Sequence, residues 1–171
     1  MIEKKIIKQI NNFKGSVLGI GISEKIINSL QKNNNINLSL MISATLGHDN
    51  KKCEKVINIR ELRKNFKKKN VDYIIGNVSD IKENFKYFIK DSIYINRHII
   101  YLYGILEDDY LDDLLIKYKR YDVDIEVIKN KNKFLIIINN HGKNNIIKEY
   151  FYFIYDICMD FIKICTDILS K

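Results

Sequence analysis

The sequence predicts an α/β fold in which a doubly wound, mostly parallel sheet is followed by a β-hairpin and an added C-terminal helix. Three observations carry this prediction. Apolar runs typical of strands buried on both faces of a parallel sheet occupy residues 71–78 and 99–103. Segments with helical spacing separate the strands, as parallel pairing requires. Two alternating segments, 123–127 and 134–138, flank the polar turn 130–132 and predict the hairpin.

The first half of the chain adds three strands and three helices to this pattern. The strands are predicted at residues 16–22, 36–42 and 56–59, where apolar or alternating side chains occur. Ile2, Ile6, Ile10 and Phe13 recur at helical spacing and predict a first helix that ends at Lys14-Gly15. Ser23 is a suitable N-cap for the next helix, which carries Ile26, Ile27 and Leu30. A third helix is predicted over 60–69, with only Leu62 and Phe66 facing inward.

Two further helices link the strands of the second half. The helix after residue 78 places Ile81, Phe85, Phe88 and Ile89 on one face, and the helix after Gly104 places Leu111, Leu114, Leu115 and Tyr118 on one stripe. No domain boundary is evident before about Asn140. The sequence therefore predicts one α/β domain over 1–140 and a helical extension over 141–171.

The bulk composition is that of a globular protein. Its 171 residues suffice for one core, and 46% hydrophobic with 29% charged residues excludes a disordered chain. The net charge of +8 permits an acidic partner. It comes mostly from lysine, which reads phosphate and base edges less specifically than arginine does.

Neither a disulfide framework nor a metal site is predicted. Cys53, Cys158 and Cys165 form no Cys-x-x-Cys pair, which favours a reducing compartment. The three histidines lack the spacing of metal ligands. Because the N-terminus leads into no uninterrupted apolar segment, a signal peptide is not expected, and we predict a cytoplasmic protein.

The order of elements resembles the class I S-adenosylmethionine-dependent methyltransferase fold, a Rossmann-like sheet with an antiparallel strand inserted near one edge. The downstream half is most similar to the ribosomal protein L11 methyltransferases. The residues that carry the resemblance are the strand 71–77, the segment Gly104-Ile105-Leu106-Glu107-Asp108 and the hairpin 122–139. The resemblance covers about residues 14 to 139 and implies S-adenosylmethionine as cofactor.

The resemblance also implies site residues. Gly19 and Gly21 fall in the family's glycine turn, where the backbone approaches the methionine end of the cofactor. Glu61 corresponds to the residue near the adenine and Asn77 to the residue near the methyl donor, so Asn77 is the candidate catalytic residue. The glycine motif is degenerate, because Gly19 stands in place of an acid and Ser23 in place of a later glycine.

Two functional hypotheses follow from this resemblance. In one, the chain is a small methyltransferase that acts on a translation-related protein, such as a ribosomal protein, or on RNA. In the other, it is a methyltransferase-like domain that has lost its cofactor and serves as a binding or dimerisation module. The degenerate glycine turn favours the second hypothesis.

Two of the predicted helices, one mostly apolar and one basic, indicate which partners the protein could bind. The helix over 146–169 carries apolar side chains around most of its circumference and a narrow acidic stripe, which argues against a membrane span or an anionic membrane surface. It is predicted to pack on the domain or on a second copy, and we expect a homodimer. The basic helix 60–69 is either an electrostatic footprint for RNA or, as is more common, a solvated helix face.

Overall fold

The computed structural model describes residues 2–41, 62–81, 85–105, 123–141 and 158. Within these ranges the chain forms a six-stranded sheet with helices packed on both faces. The helices are Ile2–Ile10 (α1), Glu24–Lys32 (α2), Leu62–Asn65 (α3), Val78–Ile81 (α4) and Phe85–Ile95 (α5). The strands are Gly15–Ile20 (β1), Ile36–Met41 (β2), Val71–Asn77 (β3), Asn96–Gly104 (β4), Val123–Asn130 (β5) and Lys133–Asn140 (β6).

The strand order across the sheet is β2-β1-β3-β4-β6-β5. Strands β1 to β4 pair in parallel, whereas β6 runs antiparallel to both β4 and β5. The predicted mostly parallel sheet and its closing hairpin are therefore confirmed. The predicted strand 56–59, the helix after Gly104 and the helix 146–169 lie outside the described residues, apart from Cys158, which is helical and exposed.

Alternate strand residues build two cores, one on each face of the sheet. Ile74 and Ile100 point toward α3, α4 and α5, where Phe85 and Phe88 are fully buried. Their neighbours Ile75 and Tyr101 point the other way, toward α1 and α2. A strand buried on both faces has little room for polar side chains, which explains why these strands appear as apolar runs.

Helix α1 buries the predicted stripe of Ile2, Ile6 and Ile10, but it ends at Ile10 instead of reaching Lys14. The next residues form a turn in which the Phe13 N–H donates to the Ile10 carbonyl at 3.0 Å. Phe13 then stacks on Tyr73, with ring centroids 4.0 Å apart. The stack places Phe13 over the sheet, a position that it reaches because the helix ends before it.

The predicted helix 60–69 also ends early, because α3, described over Leu62–Asn65, stops at Asn65. Leu62 is buried and Phe66 packs against the core, as predicted. The chain then turns through Lys69, whose φ of 54° is left-handed and breaks any helix. Among the described residues, no helix is long and apolar enough to cross a membrane.

A polar cluster ties the amino ends of three strands together. Asp72 is buried, and its Oδ2 accepts from the Ser16 N–H at 2.8 Å and from the Ser16 hydroxyl at 2.9 Å. Its Oδ1 accepts from the Arg97 guanidinium at 2.9 Å. Gly15 makes room for this carboxylate, since a Cβ at Gly15 would lie 2.2 Å from Asp72 Oδ2. The cluster therefore links β1, β3 and β4 at one edge of the sheet.

Strand β5 closes the sheet beside β6. Its register pairs Ile125 with Ile138 and Val127 with Ile136. Along β5, the exposed residues Asp124, Glu126 and Lys129 are separated by apolar residues that are partly buried. Among the described strands β5 has a neighbour on one side only.

Candidate functional site

The carboxyl ends of β1, β3 and β4 meet at the edge of the sheet opposite the Asp72 cluster. β1 ends at Ile20, which is in register with Gly76, one residue before the end of β3 at Asn77. Strand β1 lies between β2 and β3, so one following strand is added on one side of β1 and the next on its other side. In open α/β sheets, ligands bind at the carboxyl ends beside such a switch point. This edge is the candidate site.

The glycines of the predicted turn have different roles in the fold. Gly19 lies inside β1, buried, in register with Leu40 on one side and Ile75 on the other. Gly21 follows the strand with a φ of 59°, a left-handed conformation that side chains with a Cβ rarely adopt. The strand predicted to reach Ile22 therefore ends at Ile20, and the chain turns sharply into α2.

Ser23 occupies the N-cap position of α2, as predicted, in an extended conformation with φ −68° and ψ 153°. Its hydroxyl makes no cap hydrogen bond. Within the described part of the chain, the Ser23 Oγ is buried and has no hydrogen-bond partner. An unpaired buried polar atom costs about 1–3 kcal/mol, so a polar ligand or a water at this turn would be favourable.

Tyr103 also contributes to this edge, although the sequence did not single it out. Its side chain is buried, and its Oη accepts a hydrogen bond from the Ser23 N–H at 3.1 Å. The bond connects the end of β4 to the start of α2 across the intervening β3. The signal in the sequence was a tyrosine at the end of the apolar run 99–103, because the hydroxyl of a buried tyrosine needs a hydrogen-bond partner.

Asn77 ends β3 and is held in place by the backbone. Its Oδ1 accepts from the Ser79 N–H at 3.1 Å, so Asn77 itself caps the short α4. Gly104, at the end of β4, approaches closely: a Cβ there would lie 3.2 Å from Asn77 Oδ1. The φ of Gly104 is 150°, which also favours glycine.

The structure thus brings three of the four predicted site residues, Gly19, Gly21 and Asn77, to the carboxyl half of neighbouring strands. The fourth, Glu61, lies outside the described residues, as do residues 42–44 after β2. The described part of the site has a tight glycine turn, the N-terminus of α2, an unpaired hydroxyl and an oriented carboxamide. Such a set suits a ligand with a polar, charged end.

Comparison with protein-family models finds no match, and comparison with curated protein sequences finds none either. Solved structures do match. A SAM-dependent methyltransferase from Archaeoglobus fulgidus has a TM-score of 0.59 at 12% identity, over 80% of this chain and 90% of that chain. A candidate ribosomal RNA methyltransferase from Plasmodium falciparum has a TM-score of 0.51 at 14% identity, over 80% and 94%.

A human methyltransferase 10 domain containing protein is similar to the same degree, with a TM-score of 0.51 at 9% identity over 82% of each chain. Sequence identities this low show a shared fold but do not show a shared reaction. The likeness agrees with the strand order and with the antiparallel β6. The chain therefore has a Rossmann-like, class I methyltransferase-like fold.

Proposed function

We propose that this chain binds S-adenosylmethionine at the carboxyl edge of its sheet and transfers the methyl group to a translation-related protein or to RNA. One observation supports this proposal above the others. The left-handed turn at Gly21 leads directly into the N-terminus of α2, beside the buried and unpaired hydroxyl of Ser23. A helix N-terminus with an unsatisfied polar group suits a carboxylate.

Each residue at this edge has a role in the proposal. Gly21 lets the backbone approach the amino-acid end of the cofactor, and Glu61 is proposed to contact the adenine. Asn77, which Ser79 orients, is proposed to hold the methyl acceptor. When bound, the cofactor supplies an electrophilic methyl group, so the protein's main task is to place the acceptor in line with it.

The comparisons show the shared fold, and the reactions named for the neighbours motivate the class of reaction proposed for this chain. They leave the acceptor open. The Archaeoglobus protein is a SAM-dependent methyltransferase, and the Plasmodium protein is a candidate ribosomal RNA methyltransferase. We propose the same cofactor for this chain, and an acceptor that belongs to the translation apparatus.

Calorimetric titration of the intact chain with S-adenosylmethionine tests the proposal. We expect saturable binding that Gly21→Val abolishes. The left-handed φ of 59° means that valine also strains the turn, so we do not expect this variant to keep its full stability. Gly21→Asn separates strain from steric blocking, because asparagine tolerates this conformation but its side chain also blocks the approach of the cofactor. It should therefore lose binding with a smaller loss of stability than Gly21→Val. Both variants must remain folded by thermal unfolding at the temperature of the titration.

A second function, a non-catalytic methyltransferase-like binding module, is favoured by one contact. The Ser23 N–H, at the turn where a ligand would be bound, is already occupied by the Tyr103 hydroxyl. Absence of any binding at about 1 mM S-adenosylmethionine, equivalent to less than about 4 kcal/mol, would support this alternative. Recovery of binding in Tyr103→Phe would identify that contact as the block.

A further inference from the structure

A strongly basic surface lies at the other edge of the sheet, away from the candidate cofactor site. Segments 62–70 and 90–98 together contain seven lysines and arginines and one aspartate. We call this surface the basic edge; its cations are Arg63, Lys64, Lys67, Lys68, Lys69, Lys90 and Arg97. It holds two of the four arginines in the chain. Arginine is the cation best suited to phosphate.

The fold holds the basic edge in a fixed shape. Leu62 is fully buried, which anchors the start of the first segment. The Lys69 N–H donates to the Tyr94 carbonyl at 3.2 Å, and the Arg97 guanidinium donates twice to the Lys69 carbonyl, at 3.2 and 3.0 Å. The Arg63 guanidinium donates to the Lys90 carbonyl at 3.4 Å. These cations are therefore presented on an ordered backbone, unlike those of an unstructured basic tail.

An aromatic ring lies among the cations. The guanidinium carbon of Arg63 lies 4.5 Å from the centroid of the Tyr94 ring, and the Lys68 Nζ lies 5.9 Å from it. Tyr94 is half-buried, and the Arg63 side chain is 40% exposed. A guanidinium beside an aromatic ring still offers a planar group on which a nucleobase can stack.

Among the described residues, the carboxylates of Asp72 and Asp91 lie beside these cations, and both are engaged within the protein. Asp91 forms an ion pair with Arg63, and Asp72 forms one with Arg97. Asp72 lies within β3 and is buried, and the neighbouring His98 is half exposed. Segments 62–70 and 90–98 therefore carry a clear excess of positive charge, most of it on lysine.

We propose that the basic edge binds the sugar–phosphate backbone of a nucleic-acid strand, with the Arg63–Tyr94 pair beneath one base. This inference deepens the proposed function by naming nucleic acid as the class of macromolecule that the chain engages. Binding at the basic edge needs no cofactor, because the surface lies at the amino ends of β3 and β4 and the cofactor site at their carboxyl ends. Loss of one activity is therefore distinguishable from loss of the other.

Fluorescence anisotropy with labelled mixed-sequence RNA and DNA strands, without cofactor, tests the inference on the intact chain. We expect binding at about 50 mM salt that weakens steeply toward about 200 mM. In the triple variant Lys64→Gln, Lys67→Gln, Lys68→Gln, affinity should fall at least about tenfold and the salt slope by about 2. Comparison of the two strands shows whether RNA or DNA is preferred. Binding of either one supports the inference that the basic edge binds nucleic acid.

The chain offers a matched control on the opposite face of the sheet. Lys4, Lys5 and Lys8 are exposed along α1, and replacing all three by glutamine removes the same charge. This control should keep its affinity within about twofold, because phosphate contacts act locally. Tyr94→Leu should weaken single-strand binding about fivefold or more while leaving the salt slope unchanged.

Three results would overturn the inference. One is absence of binding by the unmodified chain at low salt, and another is an equal loss in the two triple variants. The third is displacement of the strand by polyglutamate at the same concentration of charge, which would make the basic edge a general polyanion surface. Thermal unfolding of each variant shows whether a loss reflects unfolding instead.

Discussion

Asp72 is a carboxylate inside a buried strand, and its hydrogen bonds explain how it is tolerated. Burial alone would raise the pKa of Asp72, but the hydrogen bonds from Ser16 and the positive charges of Arg97 and His98 outweigh burial and hold that pKa below its ordinary value. The carboxylate therefore stays ionised, with both oxygens engaged. Such satisfied polar groups are costly to disturb because removing one partner leaves the others unpaired.

The lowered pKa makes a prediction about stability in acid. A group whose folded pKa is depressed stabilises the protein above its unfolded pKa of about 3.9 and loses that contribution as the pH falls through the folded value. We expect the free energy of unfolding to decrease below about pH 4. Asp72→Asn should lower the free energy of unfolding by about 1–3 kcal/mol at neutral pH and make its further decrease in acid smaller.

Urea unfolding as a function of pH measures both effects. Asp124→Asn is the control, because the side chain of Asp124 is 76% exposed and pairs with His141 at the surface. If Asp124→Asn reduced the loss of stability in acid as much as Asp72→Asn does, the Asp72 cluster would not be its cause.

The Asp72 cluster shows what the sequence could and could not reveal at the scale of residues. An aspartate within Val71-Asp72-Tyr73-Ile74 signals that the carboxylate needs a partner, since buried charges are paired. The partners Ser16 and Arg97 lie 56 and 25 residues away, and only the sheet register brings them together. The same holds for Tyr103, whose partner Ser23 is 80 residues away.

The hairpin β5–β6 contains a conformation that its sequence does not favour. Its turn connects Asn130 to Lys133, and Lys131 has a left-handed φ of 55°. For a residue with a Cβ, this conformation costs about 1–2 kcal/mol, whereas glycine adopts it readily. The turn thus sets the pairing register at some cost in stability.

Replacing Lys131 by glycine should therefore stabilise the protein. We expect a gain of about 0.5–1 kcal/mol, because relief of the left-handed strain exceeds the added flexibility of the unfolded chain. Thermal unfolding measures the gain. Lys133→Gly, at the first residue of β6, is the matched control. It should destabilise, because glycine there adds flexibility to the unfolded chain without relieving a left-handed conformation. A loss of stability in Lys131→Gly would contradict this explanation.

Among the elements, the strands were predicted best, because their signal is simple burial. Strands β3 and β4 lie where the apolar runs are, and the alternation over 123–138 gave the hairpin. Helix ends were predicted less well. Helix α1 ends before Phe13, which stacks on Tyr73, and α3 ends before Lys69, whose N–H donates to the Tyr94 carbonyl of α5. Helical periodicity continues through both segments, so it could not show these ends.

At the scale of the whole molecule, the sheet separates two proposed binding surfaces. β3 has seven residues, so at about 3.3 Å each it places them about 20 Å apart. The glycine turn was predicted from the family resemblance, whereas the basic edge was visible in the sequence only as a run of cations. Its aromatic partner Tyr94 came from a different helix, which sequence spacing could not associate with that run.

The predicted homodimer belongs to this scale as well. The apolar side chains of residues 146–169 exceed what one helix face can bury, and each buried large apolar side chain is worth about 1.5–3 kcal/mol. We expect the intact chain to sediment as a dimer at about micromolar concentration, and a chain lacking residues 146–171 to be monomeric or poorly soluble. A monomeric intact chain would instead place this helix against its own domain.

Among the strands that the structure describes, β5 is paired on one side only, which matters for the protein in a crowded solution. An unpaired strand edge is a template onto which a strand of another chain can add, and repeated addition leads to cross-β fibrils. The apolar residues of β5 would favour such growth, but Glu126 and Lys129 are exposed along it and would be stacked against their own copies. Charge on this strand therefore acts as a safeguard against fibril formation, and its loss would endanger solubility while leaving the fold intact.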